Sequence, residues 1–148
     1  MLFFFIDIKN LCIFDKIKEN YKGSVFMANK NLIDLDAMSK NQLDMLIKKA
    51  KKIMENPADY RHACDGKILA TLFYEPSTRT QMSFKTAMLR LGGEVIGFDN
   101  PSNASVSKGE SLKDTVRVVS NYADVLVMRN PIEGSAYAAS LYSKSPVI

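Results

Sequence analysis

The 148-residue chain has two cysteines and a single histidine. Cys12 and Cys64 lie far apart and form no C-x-x-C pair, and His62 has no second histidine to work with, so a zinc site lacks its usual ligands. Both cysteines are expected as buried or free thiols in a reducing compartment, the cytoplasm, and His62 as a surface residue rather than a catalyst. Long apolar runs are also missing. The apolar start Met1-Leu-Phe-Phe-Phe-Ile6 is interrupted by Asp7 and Lys9, far short of the ~20 residues a membrane helix needs. It lacks the basic n-region and small-residue cleavage site of a secretory signal. There is no G-x-x-x-x-G-K-[ST], which argues against a P-loop nucleotide enzyme. No internal repeat or low-complexity segment is visible. The net charge of +4 is modest and the lysines are scattered among acids, so nothing demands a nucleic-acid surface, and a small anionic ligand suits the balance.

What is present reads as one domain. Apolar residues make up 47% and charged residues 24%, as in soluble globular proteins. The character of the chain changes at Met27. Residues 1–26 are expected to be an extension, non-native or poorly ordered, with Met27 the natural start and 27–148 the domain. Ser39-Lys40-Asn41-Gln42 has the form of a capping box, and Leu43, Leu46, Ile47, Ala50, Ile53 and Met54 follow at helical spacing up to Asn56-Pro57. The lysines 48, 49, 51 and 52 are read as a solvated face.

Lys67 to Tyr74 is a continuous β-prone run of the kind found in buried parallel strands. Phe84, Ala87, Met88 and Leu91 then form one helical stripe that stops at Gly92-Gly93. Glu94–Phe98 reads as a second strand, Asp99 to Gly109 as a polar, mobile loop, and Leu112, Val116 and Val119 as the apolar face of a helix flanked by Ser111 and Asp114. Val125–Met128 is a third strand delivering Arg129, Ser135 to Tyr142 a further helix, and Pro146-Val-Ile148 the start of another strand, so the chain stops inside an element. Alternation of this kind predicts an α/β fold, a parallel sheet with helices on both faces.

Ser77-Thr78-Arg79-Thr80 falls between the first strand and its following helix, where open α/β sheets hold ligands. The free N–H groups of a helix start, three hydroxyls and a guanidinium together make an anion site. The plainer alternative is that Ser77 is only an N-cap and Arg79 a solvated first-turn residue. Parallel strands would bring the tetrapeptide, the loop carrying Lys108, and Arg129 to one sheet edge.

These segments also carry a family resemblance. Phe73-Tyr-Glu-Pro-Ser-Thr-Arg-Thr80 with Ser83-Phe84, Arg90-Leu-Gly-Gly, Ser105-Val-Ser-Lys-Gly-Glu-Ser-Leu-Lys-Asp-Thr115, Met128-Arg129-x-Pro131 and Glu133-Gly134 resemble the carbamoyl-phosphate half of the aspartate and ornithine carbamoyltransferases over roughly Asn31 to Ile148. The Lys-Gly-Glu-Ser loop and Pro-x-Glu-Gly are closer to the aspartate branch. The resemblance implies transfer of a carbamoyl group from carbamoyl phosphate to L-aspartate in pyrimidine synthesis, with no metal or organic cofactor. It implies that Ser77, Thr78, Arg79 and Thr80 hold the phosphate, and that Thr80 and Arg129 reach the carbonyl oxygen. Lys108, with Ser105 on the same loop, would contact phosphate and aspartate, in the family by entering the active site of a neighbouring subunit. A homotrimer is implied for the complete protein, and a regulatory subunit is left open.

Three positions depart from the family pattern: Gln81 replaces an arginine, Lys85 a glutamate and Asn130 a histidine. The first two are read as losing a helix-surface or subunit-interface ion pair. The family's His-Pro-Thr-Gln motif and aspartate-binding domain would lie beyond Ile148, so the isolated chain is expected to be an inactive amino-terminal fragment. Two alternatives are a non-catalytic module that binds carbamoyl phosphate or phosphate or associates with complete subunits, and an ornithine carbamoyltransferase.

Overall fold

A computed structural model describes residues 31–148 except 37, 101 and 103. The expectations for 1–26, the Met27 start and Cys12 lie outside the described residues.

β1 (Ile68–Phe73) is the middle strand, paired in parallel with β2 (Glu94–Phe98) on one side and β3 (Val125–Arg129) on the other. Val147 makes a further parallel bridge to Leu126 beyond β3, where the start of another strand was expected. Central position explains the unbroken apolar run, because side chains alternate between two covered faces. Leu69 and Phe73 enter a core with Ile53, Cys64, Phe84, Ala87, Met88 and Leu91. Ala70 and Leu72 enter a second one with Val116, Ala123, Leu126, Ala139 and Val147. Helices α1 (Lys40–Glu55) and α2 (Thr78–Arg90) supply the first layer, while α3 (Leu112–Val119) and α4 (Ser135–Tyr142) supply the second. The sheet is thus parallel with helices on both faces, as expected.

Local signals set the ends of these elements. The Ser39 hydroxyl accepts from the Gln42 amide at 3.3 Å, and the Gln42 side chain accepts from the Ser39 amide at 2.8 Å, completing the capping box. Met54 departs from the expected stripe and is 54% exposed. It lies about 80° around the helix from Leu46 at ~100° per residue, so Leu46, Ala50 and Ile53 take the inward seats. α2 stops at Arg90, two residues before Gly92, whose φ of +90° only glycine adopts readily. Gly97 in β2 has φ +120°, and a Cβ there would overlap the Thr71 carbonyl oxygen of β1. The polar stretch before α3 is not loop throughout: Ser105–Lys108 forms a 3-10 turn. The Ser107 amide and hydroxyl both donate to the Ala104 carbonyl, at 3.0 and 2.8 Å, which winds the backbone there.

At the amino-terminal edge, Asp124 accepts from Lys67 Nζ at 3.1 Å and from the Ile68 amide at 2.9 Å, pinning the starts of β1 and β3 together. Their carboxyl ends, with that of β2, therefore emerge on the opposite edge in register, Phe73 beside Arg129.

Candidate functional site

Ser77 occupies the N-cap position of α2 without capping it. Its hydroxyl accepts instead from Arg129 Nη1 at 3.0 Å. The capping-only reading of Ser77 is thereby replaced by a tertiary contact between the ends of β1 and β3. The Tyr74 amide donates to the Arg129 carbonyl at 2.8 Å, extending the ladder by one step and setting the guanidinium beside the turn 74–77. Arg129 Nε donates to the Glu75 carboxylate, so one guanidinium is shared by a carboxylate and a hydroxyl.

The first backbone bond of α2 runs from the Gln81 amide to the Ser77 carbonyl, at 3.0 Å. The amides of Thr78, Arg79 and Thr80 precede it and have no partner one turn back, so they carry the positive end of the helix dipole. With no side-chain cap, this end is open to an acceptor. A cavity of about 370 Å³ lies against it, lined by Phe73, Pro76, Ser77, Thr78, Gln81, Asp99 and Asn100. The cavity runs from the helix start to the residues following β2.

Not every expected residue converges. Ser77 and Arg129 meet, and Thr78 lines the cavity with Ser77. Thr80 is half-buried and Arg79 exposed in the same turn. Ser105 and Lys108 are exposed at the two ends of the 3-10 turn. Among the described residues, no hydrogen bond or ion pair links Arg79, Thr80, Ser105 or Lys108 to the Ser77–Arg129 pair.

Two residues of the site were not anticipated in their roles. Glu75, two positions before Ser77, is the carboxylate on Arg129. Gln81, expected at a helix surface or a subunit interface, is instead 6% exposed within this chain, and its amide donates to the Phe98 carbonyl at 3.3 Å, tying α2 to the end of β2. A long polar side chain at 81 fits because it lies three residues before Phe84 on the inward face. Asn130 closes a local turn, its Oδ1 accepting from the Ile132 amide at 2.9 Å. His62 is on the surface, as expected, with Nδ1 at 3.0 Å from Asp65 Oδ2. Cys64 is buried.

A strand–turn–helix with an uncapped amino terminus and an arginine from the neighbouring parallel strand is an arrangement for an anion carrying several oxygens. Comparison with known proteins narrows the family. Residues 30–148 match the model of the aspartate/ornithine carbamoyltransferase carbamoyl-P binding domain. The chain belongs to the aspartate/ornithine carbamoyltransferase family. Among members, the aspartate carbamoyltransferase catalytic subunit of Clostridium perfringens is 57% identical over 122 residues, covering 82% of this chain and 40% of that protein. The corresponding subunit of Clostridium acetobutylicum is 55% identical over the same length. The catalytic subunit of M. jannaschii aspartate transcarbamoylase superposes with a TM-score of 0.75 at 50% identity, over 80% of this chain and 40% of that one. The Trypanosoma cruzi aspartate transcarbamoylase in complex with carbamoyl phosphate gives 0.73 at 34% identity, over 79% and 38%. The chain thus spans about 40% of the length of the curated relatives it matches. Among the described residues, no helix is long and apolar enough to cross a membrane.

Proposed function

We propose that residues 27–148 are the carbamoyl-phosphate-binding domain of an aspartate carbamoyltransferase. The observation that carries this reading is the Ser77–Arg129 contact at the uncapped start of α2. Ser77, Thr78, Arg79 and Thr80 bind the phosphate oxygens through hydroxyls, a guanidinium and first-turn amides. Thr80 and Arg129 also reach the carbonyl oxygen, and Arg129, bonded to Ser77, lies where it meets the bound phosphate as well. In the reaction, the aspartate amine forms a bond to the carbonyl carbon, the carbon–oxygen bond to phosphate breaks, and the amine gives up a proton to the departing phosphate. Negative charge grows on the carbonyl oxygen and leaves on phosphate, and fixed donors at both places lower the barrier, each worth on the order of 10² to 10³ in rate. Lys108 and Ser105, away from their own chain's pair, fit delivery to a second copy in a homotrimer. The relatives' names favour aspartate over ornithine as acceptor, and two separated cysteines suit the cytoplasm.

Calorimetry of the 148-residue chain with inorganic phosphate and carbamoyl phosphate tests the binding half of the proposal. Saturable binding of both is expected, weakened at least about tenfold in Arg79→Ala, in line with loss of a charge-assisted hydrogen bond of ~1.5–3 kcal/mol. Equal affinities in the two proteins would contradict it.

A further inference from the structure

At the inner end of the loop that carries Lys108, the Glu110 and Thr115 side chains meet, and Tyr74 packs against the same helix. Thr115, in the first turn of α3 and 4% exposed, has the Glu110 carboxylate at 3.0 Å and the Ser111 carbonyl at 3.2 Å as acceptors for its hydroxyl. Tyr74 follows β1 directly, and its ring stands edge-on to Phe98 with centroids 5.2 Å apart. Its hydroxyl is buried and has no hydrogen-bond partner among the described residues. Burial holds that hydroxyl above the ordinary tyrosine range; the neighbouring Thr115 hydroxyl acts to lower it and the Glu110 charge to raise it.

A threonine hydroxyl donates one proton and has two lone pairs. With its proton directed to Glu110 or Ser111, Thr115 is left able to accept. Tyr74 packs in the second core with Leu112 and Val116 of α3 and carries an unmet donor, and a buried hydroxyl without a partner is uncommon in a native fold.

We infer that Tyr74, Thr115 and Glu110 form a hydroxyl relay that latches the base of the Lys108 loop to the core, Tyr74 donating to Thr115 and Thr115 to Glu110. The structure holds the second link closed and the first open. Glu110 is two residues from Lys108, and its own amide reaches the Ser105 carbonyl at 3.4 Å, across the 3-10 turn. Fixing the Glu110 carboxylate on α3 therefore fixes where that turn starts and which way Lys108 leaves it. Thr115 is a positioning residue in this arrangement. Its bearing on catalysis rests on the reading of Lys108 given above, whereas the latch itself does not.

Amide hydrogen exchange of the 148-residue chain, followed by NMR, tests it. In Thr115→Val the Ser107 and Glu110 amides should exchange about tenfold faster, while the amides of β1 keep their protection, since a local opening leaves the global one unchanged. Tyr74→Phe should produce a smaller increase, and Tyr74→Phe combined with Thr115→Val no more than Thr115→Val alone, because the two act through one chain of bonds. Thr115→Ser, which keeps the hydroxyl, should behave as the unmodified protein. Loop exchange within about twofold of the unmodified protein in Thr115→Val, or additive effects in the double variant, would overturn the latch. Should Thr115→Val not fold, Tyr74→Phe and Glu110→Gln give the same comparison, and unchanged loop exchange in both would overturn it equally. Phosphate affinity separates this from the functional proposal: absent phosphate binding in the unmodified chain contradicts the functional reading and leaves the exchange result to decide the latch.

Discussion

Arg129 is held from two directions by its own chain, at Nε by Glu75 and at Nη1 by Ser77. Neither hold is strong. The side chains of Arg129 and Glu75 are 46% and 33% exposed, so solvent screens the pair to the ~0.2–1 kcal/mol typical of such contacts. A phosphate group offers Arg129 more charge than one carboxylate, and so competes with Glu75 for it. Glu75→Gln is therefore expected to strengthen inorganic phosphate binding by up to about fivefold, the upper end set by that pair energy. A Kd comparison by calorimetry checks this. Weaker binding in the variant would mean that Glu75 aims the guanidinium rather than occupying it. Gln81 illustrates the same point about context. Its position in the sequence is polar and its position in the fold is buried, and the two are reconciled by one bond to the Phe98 carbonyl.

At the scale of elements, β2 depends on a glycine. Gly97 pairs with Thr71 of β1 at φ +120°, and any side chain there would meet the Thr71 backbone. Gly97→Ala should lower the unfolding free energy by about 1–3 kcal/mol from backbone strain alone, with steric overlap adding to it. A urea midpoint equal to that of the unmodified chain would contradict this. The elements themselves were largely legible. The capping box of α1, the unbroken run of β1 and the Gly92-Gly93 stop of α2 are all written within a few residues of where they act. What was not legible depends on partners far along the chain. Glu75 meets Arg129 across 54 residues and Tyr74 meets Phe98 from a neighbouring strand, and no local pattern announces either. The 3-10 turn at Ser105–Lys108 was hidden differently, because its serines bond their own backbone as readily in a loop as in a turn. The proposed anion site falls between the two cases. Its hydroxyls, guanidinium and helix start are local and could be read, but that Ser77 bonds Arg129 instead of capping α2 depends on a residue 52 positions away.

In the molecule as a whole, parallel strand order does the gathering. Three strands running the same way bring the turn at 74–77, the residues after β2 and Arg129 to one edge, and two helical layers bury β1 and most of β3. The domain therefore presents one prepared edge, and the family model matched over residues 30–148 is that of a carbamoyl-P binding domain. Because the chain spans about 40% of its curated relatives, binding is the part of the chemistry to ask of it first. The most direct measurement is an NMR titration of the 148-residue chain with inorganic phosphate, following backbone amides. The largest saturable shifts should fall on Thr78, Arg79 and Thr80, with the Arg129 guanidinium signal moving at the same phosphate concentration. Shifts confined to other residues, or none that saturate, would contradict a phosphate site at the start of α2.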